Sequence, residues 1–165
     1  MAILEILKFP DPRLRIKAEP IHTITPALLN QIEDMYETMY DSKGVGLAAT
    51  QVNIHQRVFV MDISETHDQP ICVINPEMFH QSGTQYEGEG CLSVTAAYDK
   101  VKRAQEVHLR GMNIQGEIFE LQAEGLMAVC IQHEIDHLNG ILFFDHLSRL
   151  KQERIIQKIK KIESR

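Results

Sequence analysis

Residues 126 to 140, LMAVCIQHEIDHLNG, constrain the fold of this chain more than any other stretch. Leu126, Val129, Cys130, His133 and His137 recur at helical spacing and share one face, and Gly140 can terminate the helix. Two imidazoles on a face that periodicity marks as buried need partners in the interior. The helix must therefore lie within the molecule, with another segment brought up to meet it. Residues four apart differ by about 40° in direction and one turn in height, so His133 and His137 can reach a single metal ion. Glu134 points about 100° away and can approach a water on that ion without being a ligand, a division of labour suited to metal-assisted hydrolysis.

A catalytic metal site of this kind needs a third protein ligand. Downstream, an HExxHxxGxxH pattern would require histidine at Phe143, although Gly140 matches, and Glu153 lies in a charged tail. Upstream, Cys91 within EGEGCLS is a better candidate, because a thiolate binds soft or borderline metals strongly and a Cys-His-His set leaves one position open. As a packing residue Cys91 would be a small buried hydrophobe, an odd fit between Gly88, Gly90 and the acidic Glu87 and Glu89. A third stretch, GVGLAATQ at 44–51, fits neither phosphate-cradling glycine pattern. It reads either as a helix-to-strand turn that needs glycine, or as a loop whose backbone binds an extended peptide while Gln51 donates to a developing oxyanion.

The rest of the chain supplies the frame. Its 165 residues fit one domain, 1–165, with no repeat and no Ser/Gly/Pro-rich linker. Thr25-Pro26 offers an N-cap and first-turn proline for a helix through Leu28, Ile32, Met35, Tyr36 and Met39 that ends before Gly44. RVFVMD, PICVINP, EVHLRGMN and EIFELQ read as strands. A last helix begins near Ser148, with Ile155, Ile159 and Ile162 as its packing stripe and Lys151, Arg154, Lys158, Lys161 and Arg165 as a basic one. The fold class is α+β: small antiparallel sheets packed around a central helix that carries HEIDH, flanked by an N-terminal and a C-terminal helix.

No apolar run approaches a membrane span, and the N-terminus lacks the plan of a secretory signal. Three cysteines without a CxxC pair imply reduced thiols and a cytoplasmic setting. The net charge of −6 argues against DNA or other non-specific nucleic-acid binding by the body of the protein. Residues 149–165 carry seven Lys/Arg against two Glu, so this tail is +5 and the remainder −11.

In order along the chain, GVGLAATQ, EGCLS and QHEIDH closely resemble the motifs of peptide deformylase, the bacterial enzyme family that removes the formyl group from the N-terminus of nascent proteins. FPDPRLR, INPE and LKQERI extend the likeness over nearly the whole chain. The resemblance implies that Cys91, His133 and His137 bind the metal and that Glu134 is general base and acid. It also implies that Gln51 and the Leu92 N–H stabilise the oxyanion. Val45, Gly46 and Gly90 would hold the substrate main chain, and Leu126, Val129, Cys130 and His133 would line a methionine pocket. Ligand chemistry alone suggests zinc, whereas the resemblance implies Fe(II), replaceable by zinc or nickel. The basic stripe of the tail helix reads either as a solvated face opposite the packing face or, because formylmethionyl peptides emerge from a ribosome, as a surface that docks on ribosomal RNA.

Thr95, Tyr98 and Lys43 stand where the family commonly carries proline, arginine and an acidic residue, so altered substrate fit beyond the first side chain is expected. Two other readings compete: an HExxH metallopeptidase with a downstream ligand, and a non-catalytic peptide-binding paralogue.

Overall fold

The structure, a computed structural model, describes residues 2–164, leaving aside the side chain of Ala96. Helix α1 spans Pro26–Asp41; the Thr25 hydroxyl accepts the Leu28 N–H at 3.1 Å and satisfies one of the first turn's unpaired donors. Seven strands follow the order β1 Gly46–Ala48, β2 Val58–Met61, β3 Ile71–Ser82, β4 Gln85–Cys91, β5 Val94–Arg103, β6 Glu106–Met112 and β7 Ile118–Glu124. Helix α2 spans Gly125–Leu138 and α3 Arg149–Glu163. The α+β class holds.

Five strands form one antiparallel sheet in the order β1-β2-β3-β6-β7, while β4 and β5 form a separate hairpin. Alternation along β2 explains how helices cover both faces of the larger sheet. Val58 and Val60 join the core beneath α1, with Ile32, Met35 and Met39, while Phe59 and Met61 join the core beneath α2, with Ala128, Ile131 and Ile135. A strand covered on both faces reads as a continuous apolar run, as RVFVMD does.

Helix α2 lies between this sheet and the β4–β5 hairpin. Gln132 fastens it to the hairpin's end, its Oε1 accepting the Ala104 N–H and its Nε2 donating to the Ala104 carbonyl, both at 3.0 Å. Gly140 adopts φ 75 just past the helix, as its terminating role requires.

Four expected strands match β2, β3, β6 and β7, but β1, β4 and β5 were not among them. Strand β3 continues past Pro76 because Asn75 takes φ 52 and clamps Ile21, accepting its N–H and donating to its carbonyl at 2.8 Å, and the ladder resumes after a bulge. The α3 packing stripe differs from expectation. Ile155, Ile156 and Ile159 face Phe143 and Phe144, while Ile162 is 50% exposed. Arg165 lies outside the described residues.

Candidate active site

Helix α2 presents His133 and His137 on one buried face, and Cys91, at the end of β4, meets them there. His133 Nε2 lies 3.2 Å from His137 Nε2, which lies 3.3 Å from Cys91 Sγ. Nitrogen and sulfur ligands about 2.0–2.3 Å from a tetrahedral ion sit about 3.3–3.6 Å apart; the two spacings at His137 are close to this, and all three donors lie within 4.8 Å of one another. They are a metal-binding group, the one such cluster of His, Cys, Asp and Glu among the described residues.

Electrostatics agree with a site shaped for positive charge. Burial and the charges of His133 and Arg103 push His137 well below its usual pKa, leaving it a neutral imidazole. For His133, burial works in the same direction but is outweighed by Cys91 and Glu89, which raise it well above its usual value. A cation is favoured at that point, and a metal ion can take the proton's place.

Glu89 fixes the tautomer. Its Oε1 accepts from His133 Nδ1 at 2.8 Å, leaving Nε2 for the ion. The same carboxylate takes two bonds from Arg103 at 2.8 and 2.9 Å, and Arg103 in turn donates to Asp136 at 2.7 Å. Burial alone would raise the Glu89 pKa, but Arg103 and His133 bring it below the usual carboxylate value, so it is ionised. In the sequence Glu89 stands only as an acidic neighbour of Cys91, and neither Arg103 nor Asp136 is marked there as part of a site. No sequence signal singles out Glu89, because Glu87 and Glu89 are two apart and share a face of strand β4, yet only Glu89 is buried.

Glu134 is 4% exposed, and its Oε1 has no hydrogen-bond partner among the described residues. Burial raises its pKa to about 7, against the opposing pull of His133. The carboxyl group is thus able to carry a proton or release one near neutrality. A Cβ at Gly46 would fall 2.5 Å from Glu134 Oε2 and 2.9 Å from Cys130 Sγ. Gly46 is required for space rather than for a turn, and it opens strand β1. The left-handed turn before it is made by Lys43, at φ 58.

Gln51 is 2% exposed, and its orientation follows from its bonds. Its Oε1 accepts the Ala48 N–H at 2.9 Å, which turns Nε2 toward Ser93 Oγ at 3.2 Å and Cys91 Sγ at 3.8 Å.

The metal-binding group opens on a cavity of about 460 Å³, within the range of small-molecule and peptide side-chain sites. Val45, Gly46, Gly90 and Leu92 border it, as do Leu126, Val129 and Cys130 from α2, together with Gln51, Cys91, His133 and Glu134. Every expected site residue except His137 therefore faces one space. Leu126, expected on the buried face, lies in the first turn of the helix and is 57% exposed. Lys43 and Thr95 lie on the rim. Tyr98 is 76% exposed on β5 and does not border the cavity; its ring lies over Gly88. Neither downstream position supplies a ligand: Phe143 has no donor and stacks its ring on His133 with centroids 6.2 Å apart, and Glu153 bonds Arg149 on the surface of α3.

The likeness to known proteins runs through all three site segments. Residues 3–153 match the family model described as polypeptide deformylase. Peptide deformylase of Chromobacterium violaceum is 53% identical over 163 residues, covering 99% of this chain and 98% of the relative, and that of Azotobacter vinelandii is 55% identical, covering 98% and 96%. The crystal structure of a peptide deformylase from Legionella pneumophila superposes with TM-score 0.93 at 45% identity, covering 98% of this chain and 96% of the other. That of Ehrlichia chaffeensis in complex with actinonin gives 0.94 at 37%, covering 99% of each. Identity at this level, sustained from end to end and through the segments that meet at the cavity, has one source: the chain belongs to the polypeptide deformylase family.

Proposed function

We propose that this chain, as a single catalytic domain over residues 1–165, hydrolyses the formyl group from the N-terminal formylmethionine of nascent polypeptides in the cytoplasm, releasing formate. The observation that carries this reading is the convergence of Cys91, His133 and His137 beside a buried Glu134 whose Oε1 lacks a partner among the described residues. A divalent ion held by these three ligands supplies Lewis acidity and makes a water acidic enough to lose a proton near pH 7.

Glu134 takes the proton from the attacking water, and burial matches its pKa to that exchange. As the formyl carbon becomes tetrahedral, negative charge grows on its oxygen. Gln51 Nε2 and the Leu92 N–H donate to that oxygen, and donors fixed beforehand need no reorganisation at the moment of reaction. Glu134 then returns the proton to the departing amine, the C–N bond breaks, and formate and a free N-terminus leave. Backbone groups of Val45, Gly46 and Gly90 hold the substrate main chain as an added strand. Leu126, Val129 and Cys130 enclose the methionine side chain beside His133.

The resident ion in this reading is Fe(II), which zinc or nickel can replace. A soft thiolate with two imidazoles suits all three, and a thiolate beside redox-active iron makes the loaded enzyme sensitive to oxygen. Lys43 and Thr95 on the cavity rim, with Tyr98 beside Gly88, set the fit to residues after methionine, so turnover of formyl-peptides of increasing length should differ from an ordinary profile. The basic face of α3 docks on ribosomal RNA.

The decisive assay is formate release from formyl-Met-Ala-Ser by anaerobically purified protein, with metal analysis of the same sample. Wild type is expected to turn over, while Glu134→Ala should retain the metal and lose about 10³-fold or more in kcat. Metal-loaded wild type that releases no formate, or cuts internal peptide bonds, would sink the reading.

A further inference from the structure

Residues Leu7–Phe9 enter none of the chemistry above, yet they touch both halves of the oxyanion site. The Leu7 N–H donates to the Gln51 carbonyl at 2.8 Å, and the Phe9 N–H donates to the Ser93 carbonyl at 2.8 Å. Between them, Lys8 Nζ donates to the Leu92 carbonyl at 2.6 Å. Gln51 and Leu92 belong to different frameworks. Gln51 follows β1 of the five-stranded sheet, whereas Leu92 lies in the turn joining β4 to β5. Side-chain bonds from Gln51 Nε2 to Ser93 Oγ and Cys91 Sγ cross the gap at 3.2 and 3.8 Å. The segment Leu7–Phe9 adds a brace with one foot on Gln51 and two on the turn.

We infer that Lys8 is a positioning residue for deformylation: its ammonium group fixes the Leu92–Ser93 peptide so that the Leu92 N–H and the Gln51 amide converge on one oxyanion. The inference rests on the function proposed above. Peptide planes are rigid, so the orientation of the Leu92 N–H relative to the Leu92 carbonyl depends on only two torsions, those of Leu92 itself. Holding the carbonyl therefore restricts the N–H. A charged donor is suited to this, since charge-assisted hydrogen bonds are roughly twice as strong as neutral ones.

Lys8 does not border the 460 Å³ cavity, so its contribution should be felt in the transition state and not in ground-state binding. Its side chain is exposed, which keeps the expected effect below the ~10²–10³-fold loss that follows removal of an oxyanion donor.

The test compares wild type, Lys8→Met and Lys8→Arg on formyl-Met-Ala-Ser, each loaded with metal to the same content and assayed well below its thermal midpoint. Lys8→Met keeps the stem and removes the donor; kcat should fall about tenfold with KM within about twofold, the pattern of a lost transition-state interaction. Lys8→Arg restores a donor and should recover most of kcat. Hydrogen exchange across residues 91–94 should quicken in Lys8→Met alone. Wild-type kcat in Lys8→Met, equal losses in both variants, or an effect confined to KM would overturn the inference while leaving the proposed function standing. A metal-loaded wild type that releases no formate would overturn both.

Discussion

At the residue scale, the least replaceable group that touches no substrate is Glu89. It is 5% exposed, holds His133 by Nδ1 and neutralises Arg103, itself 6% exposed. Glu89→Gln preserves shape but removes the charge, leaving a buried guanidinium with Asp136 as its remaining carboxylate partner. Loss of a buried ion-pair partner costs about 3–5 kcal/mol, less where an amide still accepts a bond. Loss of a carboxylate behind a ligating histidine weakens metal binding about 10–100-fold. Both effects are expected in Glu89→Gln, seen as a lowered thermal midpoint and as faster metal loss to a competing chelator. Unchanged values in both measurements would remove Glu89 from this role. The ligands themselves were legible from residue chemistry, because the i,i+4 histidines announce a metal and only Cys91 stood in a setting unlike a core. Glu89 was not legible, since its burial depends on a strand that glycine and charge disguise.

At the element scale, legibility followed side-chain pattern. Helices α1 and α3 begin where Thr25 and Ser148 cap them, and β2, with its run of apolar residues, was read within a residue of its bounds. Strands β4 and β5 escaped because their sequences, QYEGEGC and VTAAYDKVKR, lack a clean apolar alternation. They pair with each other, and only part of one face meets α2 and the aromatic core of Phe143 and Phe144.

The connection after β2 shows a polar element at work. Asp62, 2% exposed, accepts the Ser64 N–H and hydroxyl, the Tyr40 hydroxyl at 2.7 Å and the Gln69 N–H, and its own N–H donates to the Val45 carbonyl at 2.8 Å. It thereby anchors the loop that leads into Gly46. Burial would raise its pKa, but the hydrogen bonds from Ser64 and Tyr40 prevail and hold it below 3.8. A group depressed in the folded state stabilises above its unfolded value and ceases to do so as pH falls through the folded one. Wild-type stability should therefore show an acid limb below about pH 4 to which Asp62 contributes. Asp62→Asn places an NH2 among donors and should lower stability at pH 7 by about 1–3 kcal/mol, with a shallower limb. Superimposable pH–stability curves would refute the assignment.

At the scale of the whole molecule, charge is divided between a body at −11 and a tail at +5. Lys151, Arg154, Lys158 and Lys161 are all exposed on α3, and the helix is held to the body by Ile155, Ile156 and Ile159 around Phe143 and Phe144. The packing face is thus spent on the enzyme, and the cations are left to solvent, apart from a 3.5 Å contact of Lys151 with Asp99. A solvated helix face needs no partner, but an acidic body would be repelled by RNA unless a local cationic face led the approach. Phosphate contacts release counterions, so the proposed docking should weaken steeply with salt, by about one power of salt concentration for each phosphate neutralised. Reversing Lys151, Arg154 and Lys158 to Glu should abolish co-sedimentation with ribosomes at low salt. None of the three borders the cavity, so kcat and KM on formyl-Met-Ala-Ser should stay at wild-type values. Retained co-sedimentation would show that the tail is only a solvated surface. Loss of binding together with loss of turnover on the free peptide would instead mean that the reversals had damaged the α3 packing, which the thermal midpoint would reveal.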